Sequence, residues 1–116
     1  MKIPNAERAV VDIRKLREYC LNPQHHRGKH KARLFTSLLG MDADDAEELR
    51  TALLEAVKKQ DAQLADRDAY GQRYTLDFTL NWREKQATIR SAWIIETNTD
   101  FPKLTTAFPL TNQDKA

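Results

Sequence analysis

Cysteine, glycine and proline are all scarce in this chain, with one, three and four residues among 116. The single cysteine, Cys20, excludes an internal disulfide and any paired-cysteine motif. It shares a helical face with Leu16, which reads as a buried structural thiol rather than a nucleophile. No Gly-rich phosphate-cradling loop and no serine elbow is present. No apolar run approaches the roughly 20 residues of a membrane span, and the N-terminus lacks the apolar stretch of a signal peptide. The expectation is a cytoplasmic protein that engages no membrane. Repeats, low-complexity segments and linkers are missing too, so one domain over residues 1–110 is expected, with 111–116 as a flexible C-terminal tail.

What is present is charge, at 31% of residues, beside a hydrophobic fraction of 41%, the balance of a soluble globular domain. The net charge of +2 conceals a strong asymmetry. Residues 1–39 carry nine Lys and Arg against three Asp and Glu, whereas residues 40–66 carry three against eight. A locally basic end suits a polyanion such as RNA, and it equally suits a solvated basic face with no partner.

The few prolines and glycines punctuate the chain. Residues 2–11 read as extended. Asp12 is a good N-cap for a helix from Ile13 to Leu21, stopped by Asn22-Pro23. A second helix is expected from about Lys29 to Leu39, with Gly40 ending it. The third has Asp42 or Asp44 as its cap, acids in its first turn, Lys58 and Lys59 in its last, and Leu49, Leu53 and Val57 as its buried stripe. The acidic segment therefore has a structural explanation.

Beyond Asp61 the period shortens from helix to strand. A short strand over 62–65 and a polar loop over 66–71 precede an alternating Tyr74–Trp82, a hairpin tip over 81–85, a second alternating run Thr88–Glu96 and a last strand Lys103–Leu110. The fold class is α+β: three N-terminal helices packed on one face of a three- to four-stranded antiparallel sheet. Alternation puts Leu76, Phe78, Ile89, Trp93, Leu104 and Phe108 toward the helices, and Thr75, Asp77, Thr79, Thr88, Arg90 and Thr105 on the other face.

Two places could carry chemistry. Residues 25–33, His-His-Arg-Gly-Lys-His-Lys-Ala-Arg, hold all three histidines and run into the second helix. On a wheel of about 100° per residue, Lys31 lies within about 10° of the centre of the stripe made by Leu34, Phe35, Leu38 and Leu39, whereas Arg33 falls on the solvent side. Lys31 either snorkels its ammonium past the core edge or contributes to an anion site at the helix start. His30 is a candidate proton-transfer group or a plain exposed histidine. The three histidines lack the cysteine or carboxylate spacing of a metal site. No metal or cofactor is expected. On the sheet, Asp77 and Arg90 form either a solvated cross-strand pair or an anion site in which the guanidinium grips a phosphate and a carboxylate moves the proton. Tyr70 and Tyr74 flank Gly71, where aromatic packing and base stacking are the alternatives.

The ordered motifs Gly28-x-x-Lys31-x-x-x-Phe35 with Leu39-Gly40, Tyr70-Gly71-x-x-Tyr74-x-x-Asp77, Arg90-Ser91-x-Trp93-Ile94-Ile95 and Pro102-x-Leu104-x-Thr106-x-Phe108-Pro109 resemble a family of small bacterial domains of unknown function. The same pattern appears in C-terminal nuclease domains of polymorphic and contact-dependent toxins, placed in the barnase, EndoU, colicin and RelE superfamily. The resemblance runs from about Val10 to Leu110. It implies N-terminal helices followed by a four-stranded antiparallel sheet, and metal-independent RNA cleavage by attack of a ribose 2′-hydroxyl on the adjacent phosphate. It also implies a cognate antitoxin or immunity protein as partner, beside RNA. The catalytic candidates are Lys31, Asp77, Arg90, Tyr74, Thr106 and His30, and the substrate-binding candidates Lys29, Arg33, Thr105 and Tyr70. Two departures stand out. The hairpin tip that often contains glycine is Asn-Trp-Arg-Glu-Lys, and alternation favours Thr105 over Thr106 for the polar face, a conflict that a β-bulge would remove.

Overall fold

The structure, a computed structural model, describes residues 1–111, so the expected tail lies outside the described residues except for Thr111. The helical half holds α1 (Ile13–Lys15, continued as a π turn over Leu16–Cys20), α2 (Lys29–Leu39) and α3 (Ala46–Lys59). The strand half is one antiparallel sheet in the order β1-β2-β3-β4, built from Gln63–Asp68, Gly71–Trp82, Lys85–Glu96 and Pro102–Pro109. This is the expected α+β arrangement, with the helices N-terminal to the strands. Among the described residues, no helix is long and apolar enough to cross a membrane.

Local chemistry accounts for the helix ends. The Asp12 carboxylate accepts the Arg14 amide at 3.0 Å and starts α1. Asp42 and Asp45 exchange side-chain and backbone bonds in a capping box on a short 3-10 turn over Ala43–Asp45, which feeds α3. Glu47 and Glu48 then meet the positive end of the α3 dipole, and Lys58 and Lys59 its negative end. Gly40 closes α2 at φ 70°, a left-handed conformation that costs a β-carbon about 1–2 kcal/mol.

Departures from the expected elements have local causes. The segment before α1 is not wholly extended: Ala6–Arg8 form a 3-10 turn that buries Ala6. Val10 then pairs with Lys103 as a parallel bridge, through Val10 N to Pro102 O at 2.9 Å and Leu104 N to Val10 O at 3.0 Å, and covers the start of the β4 edge. The first strand runs through Asp68, beyond the expected 62–65, because Arg67 and Asp68 pair with Gln72 and Gly71 after an irregularity past Leu64. Its residues are all exposed, and the missing apolar alternation is what hid its length. Asp66, Arg67 and Asp68 are charges of the kind that discourage pairing at an open sheet edge.

The core lies between the helices and one sheet face. Phe35, Leu39, Leu49, Leu53 and Val57 from the helices meet Leu76, Ile89, Trp93 and Leu104 from the strands. Among the described residues one polar side chain is sealed inside: Ser91 Oγ donates to Leu76 O at 2.7 Å and accepts from Trp93 Nε1 at 2.9 Å. Ser91→Ala orphans the indole N–H, so a loss of about 1–3 kcal/mol in stability is expected in urea unfolding. A change below a few tenths of a kcal/mol would show that this bond carries no stability.

Candidate functional site

The β3–β4 ladder contains the bulge that the conflicting threonines demand. Ala92 pairs with Thr106 and Trp93 with Leu104, leaving Thr105 as the extra residue. Its hydroxyl donates to Ala92 O at 3.1 Å. The inserted residue keeps Leu104 and Ala107 buried and moves Thr106 and Phe108 to the register of Ala92 and Arg90. Phe108 therefore stands in register opposite Arg90 and still meets a helix as expected, through Lys31 of α2.

That shift brings Phe108 to Lys31. The Lys31 ammonium lies 5.8 Å from the centre of the Phe108 ring and 5.1 Å from that of Tyr19, and donates to Tyr19 Oη at 3.0 Å. Lys31 is half-buried, so its charge is held between two aromatic rings as well as by a hydroxyl. The same α1 turn carries Cys20, whose thiol stands 3.9 Å from Thr106 Oγ1. Burial pushes the Cys20 thiol up, so the group stays protonated and inert as a nucleophile, even though Thr106, Ala107 and Lys31 act the other way.

Gly28 permits the approach of α2 to Tyr19. A β-carbon there would stand 2.1 Å from the Tyr19 carbonyl oxygen. The loop before Gly28 is folded by its own side chains. Asn22 accepts the Gln24 amide at 2.9 Å, and His25 Nδ1 accepts the amides of Arg27 and Gly28 at 3.0 and 2.9 Å. The His25 ring then meets the Tyr19 ring edge-on, with centres 4.8 Å apart.

These segments line an open surface groove of about 500 Å³. Asp12, Arg14, Lys15, Glu18 and Tyr19 form one wall, His25 and Arg27 another, and Thr105 the strand side. Arg14 grips Asp12 through Nε at 3.2 Å and a terminal nitrogen at 2.8 Å. The guanidinium, then the Arg14 amide, hold the Asp12 carboxyl at about 2 against an ordinary 3.8. A lowered folded-state value gives stability that is present above the unfolded pKa and lost as pH falls through the folded one. Asp12→Asn, which keeps an N-cap acceptor, is expected to flatten the stability loss between about pH 4 and pH 2 in acid-melting curves. An unchanged slope would mean that Asp12 does not contribute.

Asp77 and Arg90 stand opposite each other on the outer sheet face, joined by two bonds of 2.9 Å. Arg90 in turn is the strand partner of Phe108, so Lys31, Phe108, Arg90 and Asp77 form a continuous line from α2 across the sheet. Other candidates fall elsewhere. Tyr74 is buried opposite Trp93 in the core, on the helix side of the sheet. His30 and Arg33 are exposed and Lys29 is half-buried. Tyr70 is exposed at the β1–β2 turn, seven residues from Asp77 and so roughly 20 Å away along β2. Among the described residues, no three His, Cys, Asp or Glu side chains cluster as metal ligands. Tyr19 and His25 are the neighbours that periodicity did not single out. A glycine at the mouth of a basic helix, which implies a close backbone approach, was the one available signal for Tyr19.

This architecture, helices on one face of a β1-β2-β3-β4 meander, defines an α+β domain with a solved counterpart. One chain of a contact-dependent growth inhibition toxin–immunity protein complex from Klebsiella pneumoniae 342 superposes with a TM-score of 0.67 at 16% identity, over 92% of this chain and 97% of that one. At such identity the likeness is one of fold. By sequence, residues 2–111 match the family described as Domain of unknown function (DUF6883), and the chain belongs to it. No curated protein matches the sequence.

Proposed function

We propose that this chain is a toxin-type endoribonuclease that cleaves RNA without a metal, with its centre on the line from Lys31 to Arg90. The observation that carries this reading is the Lys31 ammonium set against the Tyr19 and Phe108 rings, with Phe108 in register opposite Arg90. The fold shared with a chain of a toxin–immunity complex supports a toxin-related role. A cognate immunity protein or antitoxin is the partner that such a role implies.

Two cations acting on one phosphate suit a reaction whose transition state gathers negative charge on phosphate oxygens. Lys31 and Arg90 stabilise that charge while the ribose 2′-oxygen attacks phosphorus and the 5′-oxygen leaves, taking a proton from water, to give a cyclic phosphate. In the resting pair, Arg90 occupies both Asp77 oxygens. A phosphate offers the guanidinium the same two-pronged partner, and its arrival releases the Asp77 carboxylate to take the 2′-hydroxyl proton. His30, at the exposed start of α2, is the alternative proton carrier, and Thr105 and Thr106 position the strand.

The test is incubation of purified protein with RNA in excess EDTA. Cleavage ending in 2′,3′-cyclic phosphates, and no cleavage where the 2′-hydroxyl is replaced by hydrogen, is the expected result. Intact tRNA, rRNA and mRNA under these conditions would overturn the proposal. The closed Asp77–Arg90 pair favours one other reading, a non-catalytic module that binds RNA or a protein, including the immunity side of such a complex. In that case Arg90→Ala weakens binding in a salt-dependent way and no turnover exists to lose.

A further inference from the structure

We propose that the groove beside Tyr19 is a subsite for one nucleotide of single-stranded RNA, with His25 acting as a fixed N–H donor and not as a proton carrier. It rests on the ribonuclease reading for placing the scissile phosphate at Lys31. The groove is open to solvent, and its volume of about 500 Å³ has room for one nucleotide. Its walls are chemically mixed. Lys15 and Arg27 offer positive charge, Arg14 is bound to Asp12, and Glu18 presents a carboxylate. A bare polyphosphate would be repelled by Glu18, whereas a nucleotide has an anionic phosphate for the cations and base N–H groups for the carboxylate. Tyr19 supplies an aromatic ring of the kind on which single-stranded bases stack.

His25 fixes the polarity of the site. Its Nδ1 accepts two backbone amides, from Arg27 and Gly28, and a nitrogen in that position has no hydrogen of its own. The neutral ring therefore carries hydrogen on Nε2, which can only donate, as to a phosphate oxygen or a base carbonyl. Accepting a proton at Nε2 would require moving hydrogen to Nδ1, against both amides. Tyr19 joins this groove to the centre, because its hydroxyl holds Lys31 at 3.0 Å. A strand passing over Lys31 would thus lay an adjoining nucleotide against Tyr19 and His25.

The experiment is an NMR titration of the full chain with the four nucleoside 5′-monophosphates and with inorganic phosphate, alongside the RNA cleavage assay. Expected are shifts centred on Lys15, Tyr19, Arg27 and Thr105, at least one mononucleotide binding tenfold or more tightly than phosphate, and ring-nitrogen signals that show hydrogen on Nε2 of His25. His25→Asn keeps an acceptor near the Nδ1 position and should weaken that mononucleotide tenfold. Arg27→Ala, which leaves the loop backbone bonds in place, should weaken it about fivefold if His25→Asn disturbs the loop. Equal binding of phosphate and mononucleotide, shifts elsewhere on the surface, or hydrogen on Nδ1 would overturn the subsite. A chain that cleaves RNA with no mononucleotide in this groove loses the subsite and keeps the ribonuclease reading. One that binds a mononucleotide there and cleaves nothing loses the ribonuclease reading alone.

Discussion

Lys31→Met is expected to lower RNA cleavage by about 10²- to 10³-fold, the usual cost of removing one group that stabilises developing oxyanion charge. Methionine keeps the apolar stem that lies beside Tyr19 and Phe108 and removes only the ammonium. Stability should hold or rise slightly, because α2 has Lys29 and Lys31 in its first turn, where the helix dipole disfavours positive charge. The lost bond to Tyr19 Oη, worth about 1 kcal/mol, works in the other direction. The measurements are initial rates at saturating RNA and a thermal melt. A rate within threefold of the parent would remove Lys31 from the centre. A binding module would respond differently: RNA affinity would fall and the salt slope would drop by about one counterion, with no rate involved.

Most of the fold was legible because binary pattern and end signals agreed along the chain. The limits of α2, Lys29 to Leu39, follow from Gly28 and Gly40 with an apolar stripe between them. The strands β2 and β3 follow from alternation, which the structure extends to Gly71 and Lys85. Strand β1 was only partly legible, since a strand exposed on both faces has no period to reveal it. The hairpin tip turns at Arg83 and Glu84, with Arg83 in a left-handed conformation at φ 56° that glycine would adopt at no steric cost.

The site was legible in its parts but not in its assembly. Asp77 opposite Arg90 follows from alternation and a short hairpin, and the structure pairs them in register. Lys31 was marked by its place on an apolar stripe. Its partners were invisible for two reasons. Tyr19 approaches through a backbone contact at Gly28, which has no sequence period. Phe108 approaches because one inserted residue, Thr105, reverses the parity of β4 after Leu104, and a bulge in an edge strand changes no local pattern strongly enough to be placed beforehand.

Gly28→Ala separates the two demands that meet at that contact, and it is expected to be strongly destabilising for a single added methyl. Gly28 has φ −84° and ψ −13°, angles that any residue adopts. On backbone entropy alone, alanine there would stabilise by about 0.4–1 kcal/mol. The added β-carbon would instead lie 2.1 Å from the Tyr19 carbonyl oxygen, 2.8 Å from its carbon and 3.0 Å from the Tyr19 ring. Two of these three are backbone atoms, so no rotamer change relieves them. Overpacking of this kind costs about 1–3 kcal/mol or more, which outweighs the entropic gain. With about 4–8 °C lost per kcal/mol in a domain near this size, a melting temperature lower by roughly 10–20 °C is expected. Relief requires α2 to move off Tyr19, and that motion lengthens the Lys31 to Tyr19 bond and opens the loop that His25 closes. Activity of the surviving folded fraction should therefore fall as well, measured well below the new midpoint. Gly40→Ala is the control, because nothing lies within 4 Å of its added carbon and its φ of 70° predicts strain of about 1 kcal/mol with no effect on the site. Equal melting temperatures for the two variants would show that the α2–Tyr19 contact does not constrain the fold.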